Sequence, residues 1–304
     1  MAGRIPRLAT RSQLLHSTYH PPYAATATDT TMTLTPGPAA FDRAFRTARA
    51  AQRAAFAAYY PVGFPTVEQS IVNLQAVAQH VDIVEVGLPF CDPVLDGPTI
   101  QQATRQALDA GFRMKDLFTA VRAIRTTSRA AVLVMTYWQP VADQADQFAA
   151  QLAEAGAAGA IIPDLPLEEA GPWLAAARRH GLHTVPLAPP TASDEHLARI
   201  CAAAGGMIYA PATSGVTGHT GPLAPDLPAF VDRLRAHTRL PISVGIGISN
   251  AEQAHQVAEY ADGVVVGSAL LRHIQATPGP DGVHAALTLA RDLAFGVRRL
   301  PSAA

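Results

Sequence analysis

Eight short apolar runs, each followed by an amphipathic helical stretch, predict one parallel barrel with its helices outside, a TIM (β/α)8 barrel. The alternation starts near residue 40 and repeats at a spacing of about 25 residues. Length agrees, because barrels routinely use ~200–250 residues as one domain. The rival doubly wound sheet usually has fewer strands and a phosphate loop after its first strand, and neither is evident here. Strands are expected at 56–61, 83–86, 131–135, 159–162, 183–187, 207–209, 242–244 and 263–266. Helices are expected at about 67–80, 99–110, 114–126, 143–156, 168–180, 192–204, 226–238 and 250–260, with the last helices after 268. A further helix from about 41 to 53 would cover the barrel floor.

The domain division follows from composition. Residues 1–40 are rich in Ser, Thr, Pro and Ala, show no periodicity and carry no acid before Asp29. They are expected to be a disordered tail, or the product of a start assigned too early, with Met32 as the true one. Arg4, Arg7 and Arg11 give a faint likeness to a transit peptide. Residues 41–304 are expected to form the single barrel domain.

Charge and rare residues exclude several functions. A formal net charge of −1 gives no broad field for nucleic acid or an anionic membrane. No apolar run reaches the ~18 residues of a membrane span. Lys115 is the only lysine, which all but removes Schiff-base chemistry. Cys91 and Cys201, without a CxxC pair, fit a reducing cytoplasm rather than a disulfide scaffold. The histidines from His80 onward show no paired ligand spacing, so no metal is expected.

The most informative stretch is VEVGLPFCDPVLDGPTIQ, Val84 to Gln101. It leaves a buried strand, crosses a Gly/Pro-rich loop and enters a helix. Glu85 lies between Val84 and Val86, where an unpaired carboxylate costs several kcal/mol or takes up a proton. A second acid, Asp96, follows eleven residues later. Chemistry in a barrel sits where strands end, and these positions also include Tyr59, Tyr137 and Asp164. Glycines collect after strands six, seven and eight, at Gly215, Gly218, Gly245, Gly247 and Gly267. Glycine lets a ligand approach main-chain N–H groups closely. Ser268 should open the helix after strand eight and point its N–H toward an anion. Two carboxylates facing small residues suggest acid/base work on a phosphorylated substrate.

With PDLPLEE from Pro163, the SGVTG loop (Ser214–Gly218), GIGIS (Gly245–Ser249) and GSA (Gly267–Ala269), that stretch resembles the tryptophan synthase alpha chain family over about residues 41–275. The resemblance implies cleavage of indole-3-glycerol phosphate to indole and glyceraldehyde 3-phosphate, with Glu85 and Asp96 as the acid/base pair. It assigns the phosphate to main chain of Gly215, Gly247, Gly267 and Ser268, with Ile246 nearby. Tyr59, Met135 and Tyr209 match positions lining the indole pocket, and Asp164 matches an acid that supports the loops. The chain itself should need no cofactor. A beta chain carrying pyridoxal phosphate is the implied partner, in an alpha2-beta2 tetramer. Cys91, Thr213 and Gln139 depart from common family residues without removing a catalytic group. Residues 213–223 have the composition of a lid. Two alternatives remain at this level: a stand-alone lyase of a secondary pathway, and a quiet regulatory subunit. Keeping both acids speaks against the second.

Overall fold

A computed structural model describes residues 35–212, 217 and 221–299. The expectations for residues 1–34, for Gly215 and Thr213, and for most of the lid lie outside these.

The strands are β1 (Ala55–Pro61), β2 (Ile83–Gly87), β3 (Ala131–Met135), β4 (Gly159–Ile161), β5 (His183–Val185), β6 (Ile208–Pro211), β7 (Ile242–Gly245) and β8 (Gly263–Val266). They form one parallel sheet in the order β5-β4-β3-β2-β1-β8-β7-β6. Its two ends meet through a single parallel bridge, Leu187 to Tyr209. There Tyr209 N donates to Pro186 O (3.0 Å) and Ala188 N to Tyr209 O (2.9 Å). The barrel closes at that seam. Apart from the first two residues of β5, every strand residue is buried, because helices cover the sheet outside and side chains fill it inside.

Around the sheet run α2 (Val67–Val77), α3 (Pro98–Asp109), α4 (Met114–Thr127), α5 (Ala145–Ala155), α6 (Gly171–Arg179), α7 (Asp194–Ala203), α8 (Leu227–Arg235), α9 (Ala251–Ala258), α10 (Ser268–Ala276) and α11 (Pro280–Gly296). Local chemistry sets their ends. Thr66, Ser193 and Asn250 accept main-chain N–H bonds at the starts of α2, α7 and α9. Gly156 ends α5 in the left-handed region, φ 89°. Two helices, α3 and α4, separate β2 from β3, and α3 carries the end of the strand-two loop.

Helix α1 (Gly37–Ala50) forms the floor. Phe41 is fully buried against Phe45 and His183, with ring centroids 5.2 and 5.5 Å away. It starts at Gly37, earlier than the expected 41. Pro36, at φ −48° and ψ 144°, caps it and Pro38 sits in its first turn, while a Cβ on Gly37 would lie 2.1 Å from the Ala157 carbonyl oxygen. The helix therefore enters through a residue without a side chain. β5 is also shorter than expected, stopping at Val185, because Pro186 has no N–H to continue a ladder. Among the described residues no helix is long and apolar enough to cross a membrane.

Candidate active site

The C-terminal ends of the strands open into a cavity of about 300 Å³. Tyr59 from β1, Glu85 from β2, Met135 from β3 and Tyr209 from β6 line it, with Asp96 from the strand-two loop. The far wall is Ile246 and Gly247 after β7, then Gly267 and Ser268 after β8. All the expected site residues except Asp164 and the undescribed Gly215 therefore face one space.

Glu85 and Asp96 are each only 5% exposed. Burial pushes the Glu85 carboxyl up to about 8, with the Asp96 charge adding to the effect. Burial likewise raises Asp96 to about 6, opposed by a hydrogen bond from Tyr137. That bond is explicit: the Tyr137 hydroxyl donates to Asp96 Oδ2 at 3.2 Å and accepts from Leu95 N at 3.1 Å. Both carboxyl groups are thus pushed toward the neutral form, Glu85 the more strongly. No lysine, arginine or histidine lines it among the described residues. A bound anion would be held by N–H groups and the N-terminal end of α10, whose first residue is Ser268.

Two tyrosines shape the remaining space, and both depend on glycine. A Cβ on Gly245 would lie 1.9 Å from Tyr209 Oη, and one on Gly87 would lie 2.3 Å from Tyr59 Oη. Gly245 was expected to admit a ligand; its tightest contact is with Tyr209. Gly247 differs, since it takes φ 95° and follows Ile246 at φ 69°. An isoleucine there is strained, so the surrounding contacts must hold the turn.

Loops meet over the mouth. Gly97 N donates to Thr217 Oγ1 at 2.8 Å, and a Cβ on Gly97 would lie 1.7 Å from Thr217 O. Residue 217 of the strand-six loop thus rests directly on the strand-two loop beside Asp96. Asp164 stands outside the cavity. Its carboxylate accepts Trp138 N at 2.9 and 3.2 Å, tying the loop after β4 to the loop after β3. It lines an adjoining space of about 310 Å³ that shares Leu95, Pro163, Leu187 and Pro189 with the first. Neither Glu85 nor Asp96 lines this second space.

Sequence reading placed Tyr137 at a strand end without a role. Its two bonds cross between loops, and only its position after β3 signalled it. Thr217 was marked only as part of the SGVTG loop and the lid, because its particular contact with Gly97 depends on two loops folding together.

A barrel that buries two carboxyl groups among apolar and aromatic side chains at its strand ends has the architecture of the (β/α)8 enzymes, whose chemistry sits at that face. Relatives narrow that class. A family model described as "Tryptophan synthase alpha chain" matches residues 45–294. Proteins of that name from Streptomyces avermitilis and Thermobifida fusca are 46% and 47% identical, over 254 and 257 residues. Each alignment covers 83% of this chain, with 92% and 95% of the respective relatives. A solved structure of Mycobacterium tuberculosis tryptophan synthase superposes with a TM-score of 0.79 at 41% identity, covering 85% of this chain and 98% of that one. The tryptophan synthase subunit alpha of Legionella pneumophila gives 0.77 at 32%, covering 85% and 98%. The chain belongs to the tryptophan synthase alpha chain family. It is a carbon–carbon lyase of tryptophan biosynthesis, the subunit that cleaves indole-3-glycerol phosphate.

Proposed function

We propose that Glu85 and Asp96 are the acid/base pair of this cleavage. The observation that carries the assignment is the burial of both carboxyl groups in one cavity at the strand ends, a setting that pushes each above the ordinary carboxylate range. Glu85 enters the reaction protonated and gives its proton to indole C3. The ring becomes an indolenine with positive charge at its N–H, and the Asp96 carboxylate accepts a hydrogen bond from that N–H. Glu85, now a carboxylate, takes the proton from the glycerol hydroxyl beside the scissile bond. The carbon–carbon bond breaks, its electron pair restores the indole ring, and the hydroxyl carbon becomes the aldehyde. Glu85 ends protonated, ready for another turn. Each acid/base role is worth ~10²–10⁴-fold.

Main-chain N–H groups of Gly247, Gly267 and Ser268, with Ile246 beside them, are the phosphate cradle in this reading, and Gly215 would complete it. Tyr59, Met135 and Tyr209 enclose the indole ring. Asp164 supports the loop after β3 through Trp138. The chain works as one barrel domain in the cytoplasm, without a cofactor of its own. Its partner is a pyridoxal-phosphate-dependent beta chain in an alpha2-beta2 tetramer. Val94 and Leu95, 60% and 39% exposed at the cavity mouth, offer an apolar contact for it.

Indole release by the purified chain, with and without a beta chain, tests the assignment. Glu85→Gln keeps shape and hydrogen bonding but cannot exchange a proton, so cleavage should fall by at least ~10³-fold with substrate still bound. Turnover comparable to the parent would sink the role of Glu85. Equal rates with and without the beta chain would favour the stand-alone lyase.

A further inference from the structure

Gln253 lies in the first turn of α9, where a side chain commonly caps the helix. Asn250 already does that, its Oδ1 accepting Gln253 N at 2.9 Å. The Gln253 amide turns instead over the loop that precedes its helix. Its Oε1 accepts from Ser249 N at 2.8 Å and from Ser249 Oγ at 3.0 Å. Its Nε2 donates to Gly221 O at 3.2 Å. The main-chain donor fixes which way the amide faces: Ser249 N–H requires the oxygen, which leaves the nitrogen for Gly221. One half-buried side chain thus joins α9, the turn after β7 and the segment leading into α8.

That turn holds Ile246 and Gly247, both with positive φ and both facing the cavity. Strained backbone persists only where its surroundings over-determine it. Upstream the turn is anchored by β7, where Ala212 N donates to Gly245 O at 2.6 Å. Downstream its anchor is Ser249, held by Gln253.

We propose that Gln253 is a positioning residue for the phosphate end of the substrate. It holds the 246–249 turn in the strained form that presents N–H groups to the cavity, and it rests on the phosphate reading above. Gln253 touches no reacting atom, so its removal should weaken ground-state binding of the phosphate half and leave the chemical step alone.

The test uses the full chain with indole-3-glycerol phosphate as substrate, and with glycerol 3-phosphate and indole as separate half-ligands. In Gln253→Met, KM should rise about tenfold and glycerol 3-phosphate should bind about tenfold more weakly, the scale of one or two lost hydrogen bonds. The kcat and the affinity for indole should stay within about twofold of the parent. Ser249→Ala removes only the hydroxyl partner and should cost about threefold on the same two readouts. The double variant should be no worse than Gln253→Met, since both act through one contact. A folded Gln253→Met with parental KM and glycerol 3-phosphate affinity would overturn the proposal. So would equal weakening of both half-ligands, which marks general damage. Should Gln253→Met fail to fold, an unchanged Ser249→Ala would overturn it, and a threefold loss confined to the phosphate half would support it. If the parent binds glycerol 3-phosphate no better than glycerol, the phosphate reading itself falls, and the parent alone reveals that.

Discussion

A carboxyl group in an apolar setting is costly only while charged, and the two acids here meet that cost differently. Burial drives Glu85 toward its neutral form, while Asp96, also raised, has help in carrying its charge from the Tyr137 hydroxyl. Tyr137→Phe removes that help, so the Asp96 pKa should rise further. The acid limb of kcat/KM, expected near pH 6, should then move upward by about one unit with kcat/KM lowered at pH 6. An unmoved limb would mean that Asp96 does not depend on the phenol. Glu85 gives a stability test with a definite sign. Its folded pKa of about 8 lies above its ordinary 4.5, so the folded chain holds a proton that the unfolded chain has released. Stability from the neutral carboxyl is full below pH 4.5 and is lost as pH rises through 8. Glu85→Gln removes that loss. At pH 9 it should exceed the parent by a few kcal/mol, roughly 5–10 °C in Tm, and by little at pH 4.5. The same Tm difference at both pH values would show that Glu85 ionises freely in the fold. Glu85 was legible in the sequence because a charge interrupts an apolar strand. Tyr137 was not, because a tyrosine after a strand looks the same whether or not an acid lies beside it.

At the scale of elements, continuous apolar runs located the strands, which are buried on both faces, and periodicity located most helices, which bury one. These patterns missed effects that come from a neighbour. The first residue of α1 must be a glycine because the Ala157 carbonyl leaves no room for a side chain at 37, and a sequence does not show which carbonyl will be there. Gly245 is similar: the glycine was plain, its reason was not. The ring of Tyr209 crosses over the end of β7 so closely that any Cβ at 245 would collide with its hydroxyl. Gly245→Ala must therefore displace Tyr209 into the cavity or distort β7. We expect a loss of about 10²-fold in kcat/KM, since small displacements at a site of this kind cost that much. Shortening the ring relieves the collision, so Gly245→Ala with Tyr209→Leu should be faster than Gly245→Ala alone, although Tyr209→Leu alone is slower than the parent. Purely additive losses would show that the ring is not what Gly245 accommodates. Gln253 was hidden for another reason. On a helix a glutamine reads as solvated surface, and its partners at 249 and 221 meet it only in the fold.

Across the whole molecule the barrel is unevenly tied. β1 and β2 pair over five residues and β2 and β3 over five, whereas β4 and β5 pair over three, β7 and β8 over two, and the segment just after β5 meets β6 through one bridge, Leu187 to Tyr209. The seam is thus the weakest part of the ring, and Tyr209, which makes both of its main-chain bonds, also lines the active cavity. Local opening should begin where ladder bonds are fewest, so the amides of Ala188 and Tyr209 should exchange with solvent faster than those of Val84 and Val132. A ligand seated against Tyr209 favours the closed ring. At about 100 times its Kd it should slow opening that breaks the site by up to ~2.7 kcal/mol, about a hundredfold in exchange. The β1–β3 amides, opening by routes that do not pass through the seam, should gain less. Amide exchange of the chain with and without a substrate analogue reads both quantities. Seam amides that are as slow as those of β2 in the free chain would show that the single bridge closes the barrel as firmly as a full ladder. Protection that rises equally everywhere would show that the barrel opens as one unit, with no seam to couple to the site.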